Sequence, residues 1–456
     1  MYFFFFVHLT SIMKYINAHI IHSQNSLKKF WMLIIFISIN FLCRAQQFNN
    51  WIFHNNNGLN FNTTPPSFLA GGQITNISGY STSTISDRNG NLLFYSDGEK
   101  VWNRNNQLMP NGFGLLGKDG QINTALIVPF VNDTSKYYLF ISKGLTFHTP
   151  NVNDEINYYF SYNIVDMNLN GGLGDIVIKN ILIKNFANEK MVAIPHSNGI
   201  DIWWVCRDWT TNFYSYKINC QGFQINTPVI STIGLNINYD DNKLASGDIK
   251  TSSDGNFIAA CYKDYLEIYK FNNSTGVFSN SINIPTTNCY GIEFSADSKL
   301  LYITQRFPTN TGGEEGSICQ YNLANYNTTA VLNSRIRIEQ GNFLGDGGLQ
   351  IGPDKKIYFT DGGFGIDRIK DPNVQGIGCN FQADYITLPN EAFLRFPYAA
   401  PLTFINQNTQ ITYTVGPDCR TVTLRGKTFI KGNNLTFKWS FGTHLPLAPQ
   451  QIALRR

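Results

Sequence analysis

The chain has 456 residues, 43% of them hydrophobic and 14% aromatic but only 14% charged, and its 35 Phe and 23 Tyr can fill a large core, which excludes wholesale disorder. Low charge, 38 Gly and many Asn do not suit long solvent-facing helices, whose usual fillers are Ala, Glu, Lys and Leu. The formal charge of +4 comes from the amino terminus: Lys14, Lys28, Lys29 and Arg44 are four of the 35 cations, and beyond residue 45 there remain 31 cations against 31 acids, so nothing electrostatic points to nucleic acid or an anionic membrane surface as partner.

Lys28 and Lys29 precede an apolar run from Phe30 to Leu42, and Ala45 places a small residue before Gln46. A positive region, a short apolar core and a small residue at the cut are the layout of a secretory signal. Residues 1–45 are expected to be removed, with residues 1–27 an extension upstream of the signal and Met13 an alternative start. The apolar run is too short to span a bilayer comfortably. Leu42, not a small residue, precedes Cys43, which argues against lipidation. No later stretch reaches membrane-spanning length. The expectation is a chain that is secreted or held at the outer cell surface, with no integral membrane segment after cleavage.

Four segments of the body share one phrase: Thr84–Tyr95, Lys250–Tyr262, Ile292–Ile303 and Leu349–Thr360. Each reads as a strand, then Ser or Gly, a spacer and Asp, then a polar turn and a second aromatic or β-branched strand. Asp can accept backbone N–H bonds in a tight turn, and Gly90 or Gly255 can take a positive φ. Further strands follow the turns, as in Tyr265–Phe271 and Ser317–Asn322. Asp254 and Asp297 are 43 residues apart and Asp297 and Asp354 57, near the period of a propeller blade. Asp87 and Asp254 are 167 apart, room for three or four similar units. One such sheet cannot cover both of its faces, but a ring of them can. The expected architecture is an all-β β-propeller over residues 46–405, with seven blades (six or eight being the alternatives), closed by Trp51-Ile52-Phe53 completing the last blade beside Leu402–Ile405. A series of β-sandwiches would need units of about 100 residues.

From Asn406 the pattern changes. Ile411–Val415, Arg420–Leu424 and Leu435–Phe441 alternate as half-buried strands, but residues 406–456 are too few for an immunoglobulin-like sandwich. They read as the start of such a domain, cut short.

Chemistry-bearing patterns are sparse. Seven cysteines follow the signal, none in a C-x-x-C pair, and their spacing fits no zinc site. Cys206 and Cys220 could bridge neighbouring strands of one hairpin, buried free thiols being the competing reading. His54, His148, His196 and His444 belong to no H-E-x-x-H pattern, and no G-x-S-x-G elbow or P-loop is present. Gly171-Gly172-Leu173-Gly174-Asp175 lacks the G-K-[ST] ending of a phosphate loop and reads as a blade-connecting turn. Asp361 and Asp367 flank a Gly-rich loop that could close around a cation, but two carboxylates fall short of the six or more oxygens of a hard-cation site. No catalytic, cofactor-binding or metal-ligating residue is nominated. Within the cluster Trp203, Trp204, Trp209, Phe213, Tyr214 and Tyr216, strand alternation makes at least one of Trp203 and Trp204 core. Trp209 and Tyr214 are the candidate ligand-binding residues, with Trp209 expected to be exposed; core packing is the competing reading.

The phrases Asn50–Phe61, Gly90–Gly98, Val101-Trp102-Asn103, Met109–Gly117, Tyr162–Asp175, Tyr290–Ser295 and Asp371–Cys379 resemble one family. It is the amino-terminal propeller of large exported Bacteroidota proteins that carry PKD repeats and a gliding-motility-type sorting domain of type IX secretion. The resemblance covers residues 48–405. Leu435–Gly442 is similar to the W-x-F-G core of a PKD domain, with Thr443-His444 where Asp-Gly is expected, and no sorting signal follows. The resemblance implies a truncated surface protein and supplies no catalytic residue. The functional expectation is a non-enzymatic interaction or adhesion module at the cell surface, binding protein or glycan through propeller loops without a cofactor. The alternative is an extracellular polysaccharide hydrolase or lyase, which predicts paired carboxylates in the central funnel.

Overall fold

The computed structural model describes residues 46–74, 82–117, 124–143, 158–236, 247–309, 313–341, 347–392, 395–398, 410–415 and 422–427. Seven antiparallel sheets follow one another along the chain. Blade 1 is β1 (Asn50–Phe53), β2 (Asn57–Asn60) and β3 (Ser67–Phe68); blade 2 is β4 (Ser83–Ser86), β5 (Leu92–Ser96) and β6 (Val101–Asn103). Blade 3 is β7 (Ala125–Pro129), β8 (Lys136–Lys143), β9 (Tyr159–Asp166) and β10 (Asp175–Asn185). Blade 4 is β11 (Ala187–Pro195), β12 (Ile202–Asp208) and β13 (Asn212–Asn219), with β14 (Gly222–Phe223) and β15 (Val229–Thr232) both pairing with β13. Blade 5 is β16 (Ile249–Thr251), β17 (Phe257–Tyr262), β18 (Tyr265–Asn272) and β19 (Val277–Pro285). Blade 6 is β20 (Ile292–Phe294), β21 (Leu300–Pro308), β22 (Glu314–Asn322) and β23 (Ile336–Gly341), with a short helix α1 (Thr328–Asn333) before its last strand. Blade 7 is β24 (Gly348–Ile351), β25 (Ile357–Thr360), β26 (Gly365–Ile369) and β27 (Phe381–Thr387). The first strands of successive blades pack side by side around the centre, giving a seven-bladed β-propeller.

The shared phrase is the turn between a blade's first two strands. In blade 5 the Ser252 hydroxyl donates to Asp254 Oδ1 at 2.6 Å and accepts from Phe257 N, while Asp254 Oδ1 also accepts from Asn256 N. Blade 6 repeats this with Ser295, Asp297 and Leu300 N. Blade 2 uses Asp87 to hold the N–H groups of Asn89 and Asn91. Blades 3 and 4 build the same turn from other residues, Asp133 holding Ser135 N and Asn198 holding Ile200 N and Asp201 N. Only these two blades lie between Asp87 and Asp254, where three or four units were expected. Their strands β8 to β13 and their connections are long, and blade starts there are 62 residues apart (Ala125 to Ala187, Ala187 to Ile249) against 43 from Ile249 to Ile292.

Burial on both faces of each blade forms the core. Trp203 and Trp204 point to opposite sides of blade 4, and both are buried. Trp204 stacks on Phe140 of blade 3 with ring centroids 4.7 Å apart. Trp203 faces blade 5, where its Nε1 donates to Asn273 O at 2.8 Å and Gly276 abuts its ring so closely that a Cβ would lie 2.9 Å away.

Among the described residues, no strand is exchanged between blades 1 and 7. Trp51-Ile52-Phe53 forms β1, the first strand of blade 1, paired with β2 through a turn in which Asn55 and Asn56 both have φ near 60°. Blade 7 supplies all four of its own strands, and residues 402–405 lie outside the described residues. The seam is aromatic: Trp51 packs against Phe61, Tyr358 and Phe396 at centroid distances of 4.6, 5.7 and 5.2 Å. Beyond it, β28 (Gln410–Val415) and β29 (Val422–Lys427) pair antiparallel. No sandwich is present among the described residues, and Trp439–Gly442 lies outside them.

The residue after the turn Asp has a left-handed φ in three blades: 69° at Gly255, 63° at Ser298 and 65° at Lys355. A side chain there is disfavoured by roughly 1–2 kcal/mol. Lys355→Gly should therefore keep or raise stability, while Gly255→Ala should lower it by about 1 kcal/mol, read from urea unfolding midpoints.

Candidate functional site

The inner strands bring an unusual set of buried charges to the centre. Lys190 of β11, Asp248 before β16, Lys250 of β16, Glu293 of β20 and Arg395, which follows the last blade, are all nearly inaccessible. Each has a partner. Lys250 Nζ donates to Gln350 Oε1 at 2.6 Å and lies 3.7 Å from Glu293 Oε2. Glu293 also accepts the N–H groups of Phe294 and Ile351 at 2.9 Å. Arg395 forms an ion pair with Asp248, and Lys190 Nζ donates to Gly247 O at 2.5 Å.

Burial governs their protonation. It raises Glu293 above the ordinary carboxylate range, although Lys250 opposes the rise. It pulls the Lys190 ammonium down to about 7, against the pull of Glu189 and Asp248. What remains between these groups is a small cavity lined by Asp248, Lys250, Gln350, Arg395, Phe396 and Tyr398, among others. Two carboxylates, Asp248 and Glu293, thus do meet the centre, each already engaged by a cation. A third buried pair, Arg207 with Glu267 at 2.5 Å, ties blade 4 to blade 5.

The nominated ligand-binding residues fall on opposite sides of blade 4. Trp209, expected to be exposed, is 1% exposed and belongs to the core between blades 4 and 5, because blade 5 covers the end of the β12–β13 hairpin. Tyr214 is half-buried on the other side; its hydroxyl donates to Asp208 Oδ2 at 2.9 Å, and Lys184 Nζ lies 4.1 Å from its ring centroid. The two do not form one surface.

Cys206 and Cys220 are not bridged. The hairpin register sets Cys206 opposite Tyr214, whereas Cys220 lies past Asn219 at the far end of β13. Cys206 is a buried thiol that burial pushes well up. The disulfide is instead Cys261–Cys289, joining β17 to the loop before β20. No spacing signal marks that pair, which adjoins only once blade 5 is folded.

Gly171–Gly174 lies in the connection from β9 to β10, inside blade 3, so it does not connect blades. Asp361 and Asp367 are occupied by backbone: Asp361 Oδ1 accepts from Gly363 N at 3.4 Å and Asp367 Oδ1 from Asp384 N at 2.8 Å. Burial, with Asp361, Asp384 and Glu339 nearby, pushes Asp367 up to about 6. No three metal-ligating side chains converge among the described residues. His54 is buried, His196 stacks on Trp203 at 5.5 Å, and His148 and His444 lie outside the described residues.

Among the described residues, β10 carries a concentration of exposed apolar side chains. Val177, Ile178, Ile181 and Leu182 of β10 are exposed, Leu182 by half, with Phe113 and Leu169 also exposed. Lys179 donates to Phe113 O, and Asn180 Nδ2 donates to Gly114 O at 3.0 Å, so the 111–114 loop of blade 2 adjoins this strand. Lys179 and Lys184 are its charges, and Asp175 is held by Asn111. β10 pairs only with β9 and is the edge strand of its sheet.

No protein-family profile matches the chain, and no curated protein does. Among solved structures, hydrazine synthase of Kuenenia stuttgartiensis is similar at 12% identity and a TM-score of 0.38, covering 79% of this chain and 99% of that one. Hsv2 of Kluyveromyces lactis matches at 9% identity and a TM-score of 0.38, covering 71% and 92%. A chain of the nidogen/laminin complex matches at 13% identity and a TM-score of 0.31, covering 58% and 81%. Likenesses this distant say nothing of activity.

Lys190 makes the centre pH-dependent. Its folded value of about 7 lies below the ordinary 10.5, so its contribution to stability is present above pH 10.5 and is lost as pH falls through about 7. The unfolding free energy of the wild-type chain relative to Lys190→Met should rise steadily from pH 7 to pH 10 in urea titrations.

Proposed function

We propose that this protein is an exported, non-enzymatic interaction module that binds a protein partner at the outer cell surface through the rim of its propeller at blade 3. The exposed aliphatic edge of β10 carries the reading, since exposed apolar clusters of this kind mark interaction sites. Lys179 on this strand favours an acidic group on the partner's rim, whereas Lys184 is already paired with Asp208. Aliphatic side chains predominate over aromatic platforms there, which favours protein over glycan. The signal at residues 28–45 supports export, and the resemblance of residues 48–405 to exported Bacteroidota PKD-repeat proteins supports a place among surface proteins of the type IX, gliding-motility kind.

The mature chain should bind saturably to intact cells of its source, and protease treatment of those cells, but not glycosidase treatment, should abolish the binding. The double variant I178D/L182D should weaken binding by roughly a hundredfold, as loss of a central apolar contact does. Unchanged binding by that variant would overturn the placement. Turnover of a polysaccharide lost on Glu293→Gln would favour the hydrolase or lyase reading, for which Asp248 and Glu293 are the carboxylates at the centre.

A further inference from the structure

We infer that the stretch following blade 7, residues 390–392 and 395–398, is the clasp that holds the propeller shut: it crosses from blade 7 into the centre and binds five blades at once. This goes beyond the interaction reading and does not depend on it.

A ring of blades needs one joint that is not made by chain continuity, between first and last. Strand exchange is a common device for such a joint; among the described residues blades 1 and 7 each contain only their own strands. The described contacts place the joint in the clasp. At the seam, Asn57 Nδ2 donates to Asn390 O and Glu391 O at 3.2 and 3.1 Å, and Asn390 Nδ2 donates to Asn55 O at 3.0 Å. Ala392 N donates to Gly363 O of blade 7 at 2.7 Å. Phe396 then fills the space between Trp51 and Phe53 of blade 1.

The clasp ends in the centre. Arg395 pairs with Asp248 of blade 5, its guanidinium 4.1 Å from the Tyr290 ring centroid. Tyr398 is held at both backbone groups by blade 2, donating from N to Thr82 O at 2.6 Å and accepting from Ser83 Oγ at 3.0 Å. Its hydroxyl lies 2.7 Å from Met191 O of blade 4 and 2.6 Å from Ile249 O of blade 5. One residue thus ties three inner strands, and with Ala392, Arg395 and Phe396 the clasp reaches blades 1, 2, 4, 5 and 7. Its socket has covalent backing: Cys261 N donates to Asp248 O and Asp248 N to Tyr290 O, while the Cys261–Cys289 disulfide fixes the residue next to Tyr290. Removal of the clasp would uncover Asp248, Lys250 and Gln350.

The test compares two tyrosines in the full mature chain. Tyr326, like Tyr398, bonds two carbonyls, Ile268 O and Asn280 O, both at 2.8 Å, but at the periphery between blades 6 and 5. Tyr398→Phe should deprotect the amides of β4, β11 and β16 together in hydrogen exchange and speed tryptic cleavage after Arg395 by about tenfold, cleavage tracking the open population. Tyr326→Phe should affect only blades 5 and 6. If Tyr398→Phe does not fold, Arg395→Lys keeps a charge and a tryptic site and should show the same cleavage to a lesser degree. The inference fails if Tyr398→Phe leaves any of β4, β11 and β16 as protected as in the wild type, or if the folded wild type is cut after Arg395 as fast as after exposed Arg104.

Discussion

The structure depends on one constraint: each sheet is apolar on both faces and must hide both against its neighbours. A central strand in such a sheet is buried along its length, while outer strands such as β19 alternate. All seven residues of β12 are buried, Arg207 and Asp208 included. Adjacent blades diverge towards the rim, and large rings fill the widening space, as Trp204 with Phe140 and Phe213 with Phe278 (4.2 Å) do. Where blades draw too close for a side chain, glycine stands, as Gly276 does under Trp203.

The centre follows from the same geometry. First strands converge there, and polar side chains among them leave water without leaving one another. Such charges persist only when paired, and the pairs link different blades: Lys250 of blade 5 with Gln350 of blade 7, Arg395 with Asp248. The charged centre is therefore part of what joins the ring. The ring leaves other surfaces outside its own packing, and among the described residues β10 places four exposed aliphatic side chains on one of them.

Legibility followed locality. The Asp turn was readable because its hydrogen bonds span five residues or fewer, so the residue types that make it sit together in the chain. Blades 3 and 4 do not show the phrase because Asp133 and Asn198 make the equivalent turn in a different residue context, and long strands stretch the period so that two blades fill the room of three or four units. Trp209 looked like a loop residue; only the neighbouring blade makes it core. The Cys206–Cys220 expectation failed on register, since a hairpin pairs residues by their distance from the turn, and these two lie at different distances from it.

What the sequence by itself determined is the repeating unit: short, twisted, two-faced apolar strands joined by Asp-bearing turns, which bury themselves only as members of a ring. Tertiary structure decided everything that joins units far apart in the chain. The aromatic seam, the Cys261–Cys289 bridge and the position of Tyr398 under three inner strands depend on residues up to 345 positions apart, as Trp51 and Phe396 are. The chain brings such residues together only after the ring has set their spacing, so no local pattern records them.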